Sequence, residues 1–143
     1  MKKFLAMVLA LVRALSLVAC GEQGGDQGGD NSGKKVIKIG VFEPQSGDNG
    51  AGGKQEILGM QYANKMFPTV TVGGEEYQVE LVYADNASSN DKAPTAAQTL
   101  ISQGVSVVLG SYGSGVSIAA GDTFSAAQVP AIGVTCTDRK SVV

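Results

Sequence analysis

Histidine and tryptophan are absent from this 143-residue chain, and cysteine occurs only twice, at Cys20 and Cys136. Without histidine, neither a Ser-His-Asp nor a Cys-His nucleophile can be assembled within the chain. Two distant cysteines and no histidine leave no zinc-ligand pattern either, so no metal and no cofactor are expected. Positive charge is sparse. Lys2, Lys3 and Arg13 precede Cys20; the rest holds 8 basic against 13 acidic residues, a net charge of −5. The basic residues are scattered (Lys34, Lys35, Lys38, Lys54, Lys65, Lys92, Arg139, Lys140). They form no patch, which argues against a nucleic-acid partner. The apolar run Phe4–Val12 is nine residues long, too short for a membrane span of about 20.

What stands around that run is an export signal. Met1-Lys2-Lys3 is a basic start, the apolar run follows, and Ala19 is a small residue before a cleavage point. Leu17-Val18-Ala19-Cys20 resembles the lipobox of bacterial lipoproteins, which implies cleavage before Cys20 and a diacylglycerol on its sulfur. Arg13 is costly in such a segment, at about 2.5–3.5 kcal/mol on insertion scales. A lipidated Cys20 cannot pair with Cys136, which then packs as a small hydrophobe. Gly21 to Lys35 contains no apolar residue, and Gln-Gly-Gly-Asp occurs twice in tandem. That composition makes a flexible tether of about 20 Å. The expected division is residues 1–19 signal peptide, 20–35 lipidated cysteine and tether, and 36–143 folded region.

In the folded region the pattern alternates. Val36–Phe42 is a β-branched apolar run and predicts a buried strand. A loop from Glu43 to Gly53 leads to a helix carrying Ile57, Met60, Ala63 and Phe67, ended by Pro68. Gly73-Gly74 between Thr69–Val72 and Glu75–Tyr83 predicts a hairpin. After a polar loop Asp85–Asn90, Asp91 is expected to cap a helix carrying Ala93, Ala97, Leu100 and Ile101. Val105–Leu109 predicts a strand, Gly110–Gly115 a turn, and Val116, Ala119, Ala120, Phe124 and Ala127 a helix; Val129–Ile132 opens a further strand. This order predicts an α/β fold, a Rossmann-like parallel sheet flanked by helices. Ligands of such sheets bind beyond the carboxyl ends of the strands. Here those ends are Glu43–Gly53, Asp85–Asn90, Gly110–Gly115 and Gly133–Asp138, all polar or small.

Two nucleotide motifs come close and fail. A phosphate loop around Gly53-Lys54 requires Gly where Asp48 stands and Ser or Thr where Gln55 stands. The glycines at 110, 113 and 115 are misspaced for a dinucleotide turn, and Ser111 and Ser114 lack the glycine frame of a nucleophile elbow. That turn reads equally as punctuation and as a helix start that holds an anion.

Taken in order, Ile37–Val41, Ser46-Gly47, Gly59 with Ala63, Tyr83-Ala84-Asp85, Val107–Ser111 and Val129–Ile132 resemble the start of the type I periplasmic-binding-protein superfamily. The resemblance is greatest to its leucine/isoleucine/valine-binding branch. It covers about a hundred residues and makes residues 36–143 an incomplete first lobe. It implies a solute-binding lipoprotein, not an enzyme, held to the outer face of the cell membrane by its lipid. Its implied partners are an amino-acid ligand of branched-chain type and the permease of an ABC importer. A ligand-sensing domain of the same superfamily and an α/β enzyme fragment are the alternatives, and a purely structural surface lipoprotein is a third. By the same resemblance, Ser114 and the Thr137 hydroxyl meet the ligand's carboxylate, and Thr135, through its carbonyl, shares the ammonium with Thr137. Some members place an aromatic ring in the first loop; the corresponding residue here is Gly52. The chain stops at Val143, before a second lobe, and Arg139–Val143 departs from the family pattern. It therefore reads as a truncated or frameshifted frame.

Overall fold

The computed structural model describes residues 34–138. The signal, Cys20 and most of the tether lie outside the described residues. Five strands and three helices follow in order: β1 (Lys35–Glu43), α1 (Gly50–Met66), β2 (Thr69–Val72), β3 (Glu75–Asp85), α2 (Ala93–Ser102), β4 (Val107–Leu109), α3 (Ser114–Ala126) and β5 (Ala131–Ile132). The strands form one sheet in the order β2-β3-β1-β4-β5. Neighbouring pairs are parallel except β2 and β3, which form the expected hairpin, Thr69 opposite Gln78. Gly73 and Gly74 both have positive φ, 61° and 85°, as a two-residue turn that follows the strand twist requires.

The alternation within β1 and β3 divides the sheet into two faces. Phe42, Val82, Ala84 and Val108 point to one face and pack with α2 and α3. Small residues on those helices, Ala93, Ala96, Ala97 and Ala120, bring them close to the sheet. The Phe42 and Phe124 rings meet edge to face at 5.4 Å, a favoured aromatic geometry. Ile39, Val79, Leu81 and Leu109 point to the other face, where α1 lies. Alongside α1 that face opens into a groove of about 520 Å³, walled by these residues, Met60, Phe67 and Val134. Farther round α1, Leu58, Tyr62 and Met66 are exposed at 57%, 67% and 55%, and their i, i+4, i+8 spacing makes them one apolar stripe.

Three expectations need correction. The loop after β1 is shorter than Glu43–Gly53, because α1 already begins at Gly50. Asp91 does not cap α2. The N-cap position is Lys92, whose N–H donates to Ser89 Oγ at 3.4 Å, and the Ala93 N–H reaches the Ser89 carbonyl at 3.0 Å. The last two strands are shorter than their apolar runs, Val107–Leu109 and Ala131–Ile132.

The open groove and the exposed stripe lie on the same side of the sheet and offer apolar surface for association. The chain from Cys20 onward, made without lipid, is expected to bind a fluorescent apolar dye and to self-associate in sedimentation. A dye-silent monomer with a sharp, reversible melt contradicts this.

Candidate functional site

The helix after β1 runs toward β3 and the helix after β4 runs toward β5, so the connections diverge between β1 and β4. At that divergence the strand ends leave a crevice, the usual ligand position in open α/β sheets.

Glu43, the last residue of β1, is fully buried there. Its Oε2 accepts the Tyr112 N–H at 2.7 Å, joining the loops on either side of the crevice. Burial disfavours the carboxylate, the Glu56 side chain adds to the effect by hydrogen bonding and by charge, and the Tyr112 amide opposes it; the net result is a pKa pushed up to about 8. A carboxyl shifted in this direction favours its protonated form near neutral pH. Beside it, Asn86, also fully buried, donates through Nδ2 to the Phe42 carbonyl (3.1 Å) and to Ser111 Oγ (2.9 Å). The Ser111 N–H donates to Ser117 Oγ at 3.2 Å. Gly110 has φ 122°, and a side chain there would collide with the Phe42 carbonyl. Only glycine suits that position.

The loop after β3 is laced to the loop after β1 through Asp85. Its carboxylate accepts the N–H groups of Gln45 (2.8 Å), Ala87 (2.8 Å) and Ser46 (3.4 Å), and the Ser46 hydroxyl at 2.7 Å. Partial burial pushes its pKa up, but the Ser46 hydroxyl and the three amides together outweigh this and hold it below the usual carboxylate range. Ser88 adds a second tie, accepting the Asn49 N–H at 2.9 Å.

The expected ligand residues lie at the far side of the same crevice. Ser114 is the first residue of α3, and its Oγ accepts the N–H groups of Thr137 and Asp138, each at 3.1 Å. Ser114 and Thr137 are therefore brought together, and the Ser114 hydroxyl keeps its proton to donate. Thr135 and Thr137 are exposed on the loop after β5. Cys136 is a partly buried thiol beside Gly133, and Cys20 lies outside the described residues. The first-turn amides of α3 open toward the same place and favour an anion. Sequence reasoning missed Glu43, Asn86 and Tyr112. Glu43 and Asn86 read as ordinary loop polars, and only the sheet order shows that they are buried.

A largely parallel sheet with polar loops at its switch point is the arrangement of an α/β ligand-binding domain. A periplasmic binding protein family model matches residues 36–142, and the chain belongs to that family, one of solute-binding proteins and not of enzymes. It is 32% identical over 90 residues to the Leu/Ile/Val-binding protein homolog 2 of Brucella abortus, covering 62% of this chain and 24% of that protein. The crystallised branched-chain amino acid transporter substrate binding protein of Streptococcus pneumoniae, in complex with isoleucine, matches with 32% identity and a TM-score of 0.64 over 75% of this chain and 31% of its own. A solute binding protein of an ABC transporter from Rhodopseudomonas palustris, in complex with 3,4-dihydroxybenzoic acid, matches with 28% identity and a TM-score of 0.62 over 71% and 27%. The chain thus spans less than a third of the length of each of these relatives.

Two outcomes follow from the carboxyl groups. Because the folded pKa of Glu43 is raised, its contribution to stability is full below the unfolded value near 4.5 and is lost as pH rises toward about 8. Glu43→Gln, which can still accept from Tyr112 but carries no charge, should match the parent at acid pH and exceed it by on the order of 2 kcal/mol near neutrality and above. Urea midpoints followed by tyrosine fluorescence across pH check this; parallel midpoints at every pH contradict it. Asp85 has the opposite sign. Its lowered pKa contributes stability above its ordinary value of 3.8, lost as pH falls through the folded value. Asp85→Asn should speed amide exchange at Gln45, Ser46 and Ala87 at neutral pH; unchanged exchange there contradicts the lacing role.

Proposed function

We propose that this chain is the carboxylate-binding half of a solute-binding lipoprotein of an ABC importer, taking an amino acid of branched-chain type. The observation that carries the reading is Ser114: a hydroxyl at the start of α3, in a crevice at the switch point, held by the amides of Thr137 and Asp138. The Ser114 hydroxyl and the first-turn amides donate to the ligand's carboxylate. The Thr135 carbonyl and the Thr137 hydroxyl accept from its ammonium. In this reading the other half of the clasp is supplied by a second lobe outside the matched region, consistent with the chain spanning 24% and 31% of the two relatives. Residues 1–19 direct export, Cys20 carries the lipid at the outer face of the membrane, and residues 20–35 are the tether to the lobe. An importer permease is the partner of the loaded protein.

A second reading, that the ligand is an aromatic carboxylic acid, is favoured by the 3,4-dihydroxybenzoic acid bound to the Rhodopseudomonas palustris relative. It keeps the Ser114 role and drops the ammonium.

The test is calorimetry on residues 36–143 joined to the second lobe of the Streptococcus pneumoniae relative, titrated with free amino acids and with 3,4-dihydroxybenzoate. Ser114→Ala is expected to weaken binding by roughly 10- to 150-fold, the effect of one hydrogen bond to a charged group. Equal affinities for parent and variant overturn the site. Binding of a sugar in place of any carboxylate overturns the ligand class. Intact mass of the membrane-extracted protein should show a diacylglycerol on an N-terminal Cys20; a mature protein without lipid contradicts the anchor.

A further inference from the structure

Helix α1 is apolar on two opposite sides. Toward the sheet, Ile57 is buried and Met60 walls the groove. Half a turn round the helix, Leu58, Tyr62 and Met66 point away from the sheet and are exposed. A surface helix carries one apolar stripe, and a helix apolar on both sides is built to be covered on both. The flank between the two stripes faces the groove and is smooth. Gly59 and Ala63 stand there one turn apart, and a side-chain carbon placed on Gly59 would meet nothing within 4 Å.

The sheet has the complementary deficit. A helix is about 10 Å across, roughly half the width of a five-stranded sheet. On this face α1 is the only helix among the described residues, and beside it runs the trough of about 520 Å³ floored by Ile39, Leu81, Leu109 and Val134. A strip one helix wide lacks its helix, and one helix lacks cover for its outer stripe. A single second copy of the chain supplies both.

We propose that this face is a homodimer interface in which the α1 of each copy lies in the groove of the other, its Leu58, Tyr62 and Met66 against the other's sheet. The inference goes beyond the ligand reading and does not depend on it. A two-fold axis that exchanges the two sheets and the two helices together must run along the helices. The helices are therefore parallel and side by side, with Gly59 and Ala63 of each opposite their own counterparts. The product is sheet, two helices, sheet, with both outer stripes buried and two helices on each sheet face. Lys54 and Lys65 lie on the flank away from the groove, where their ammonium groups stay in water. Three stripe side chains bury on the order of 300–400 Å² per copy, and the groove walls beneath them about as much. Two copies together then bury on the order of 1,200–1,600 Å², the size of a standard stable interface. Each ridge and each groove is used once, so the assembly closes at two.

Sedimentation equilibrium on the chain from Cys20 onward, made without lipid, should fit a monomer–dimer equilibrium with no larger species. Apolar-dye fluorescence per chain should fall as the dimer forms. Tyr62→Lys should raise the dissociation constant about a hundredfold or more, since the side chain is buried twice in a two-fold dimer. Its circular dichroism should match the parent's, because the side chain is exposed in the single copy. Val134→Lys should act likewise from the groove side. Ile118→Lys, at an exposed apolar residue of α3 on the other face, should leave the constant unchanged. In a Cys20→Ser, Cys136→Ser background, Ala63→Cys should link two copies by a disulfide on mild oxidation, and Lys54→Cys should not. A chain that stays monomeric overturns the proposal. An open series of oligomers, weakened equally by Ile118→Lys and Tyr62→Lys, is non-specific association and overturns it too. A dimer indifferent to both Tyr62→Lys and Val134→Lys places the contact on another face and has the same consequence.

Discussion

The Tyr112 amide finds its acceptor 69 residues upstream, in a carboxyl oxygen of Glu43 at the end of the central strand. Much of the upper end of the lobe depends on this contact. Glu43 is fully buried, and the desolvation of a charged carboxylate in such a place is expensive. The site lowers that cost by favouring the protonated carboxyl, because burial and the nearby Glu56 carboxyl both raise its pKa. A neutral carboxyl still accepts from Tyr112 through one oxygen, so the loops on either side of the switch point are joined without burying a charge.

The other strand ends follow related logic. In sheet order, the loop after β3 is tied to that after β1 by Asp85, the loop after β1 to that after β4 by Glu43, and the loop after β4 to that after β5 by Ser114. Each tie is a side-chain oxygen accepting the backbone amide of a neighbouring loop. Loop amides have no ladder partner, and an unsatisfied one is costly. A row of short acceptors at the strand ends solves that problem and sets the spacing of the crevice. The acceptors differ in charge according to exposure. Asp85, exposed and with four donors, stays ionised, whereas Glu43, buried with one amide donor, does not.

The elements that rest on local pattern were legible in the chain: the β-branched run of β1, the Gly-Gly hairpin, the apolar helix spacings and the parallel order of the sheet. Asp91 shows where local reasoning stops. Ser89 begins the turn into α2 instead, because the Asn86–Ser89 turn is shaped from outside by Asn86, which bonds the Phe42 carbonyl and Ser111. The two left-handed residues there, Ala87 and Ser88, carry no sequence signal; Asp85 and Asn86 hold them through their amides. Ser114 was equivocal from spacing and stood out only through the family resemblance. Tyr112 and Glu43 were illegible for a common reason: what ties them is a hydrogen bond across 69 residues that only the strand order brings within reach.

The two faces of the sheet differ in a way that bears on the site. Five strands about 4.8 Å apart span roughly 19 Å, and a helix with its side chains is about 10 Å across, so each face needs two helices. One face has them, α2 and α3, drawn in by alanines. The other has α1 alone among the described residues, and the strip it leaves is the apolar groove. That strip is not remote from the crevice. Leu109 ends β4 just before the turn that carries Tyr112 and Ser114, and Val134 immediately precedes Thr135; both line the groove. The crevice residues thus stand on strand ends whose underside is incompletely packed. The groove and the crevice meet at two backbone positions, Leu109–Gly110 and Val134–Thr135, where a groove-lining side chain is followed directly by a residue of a crevice loop.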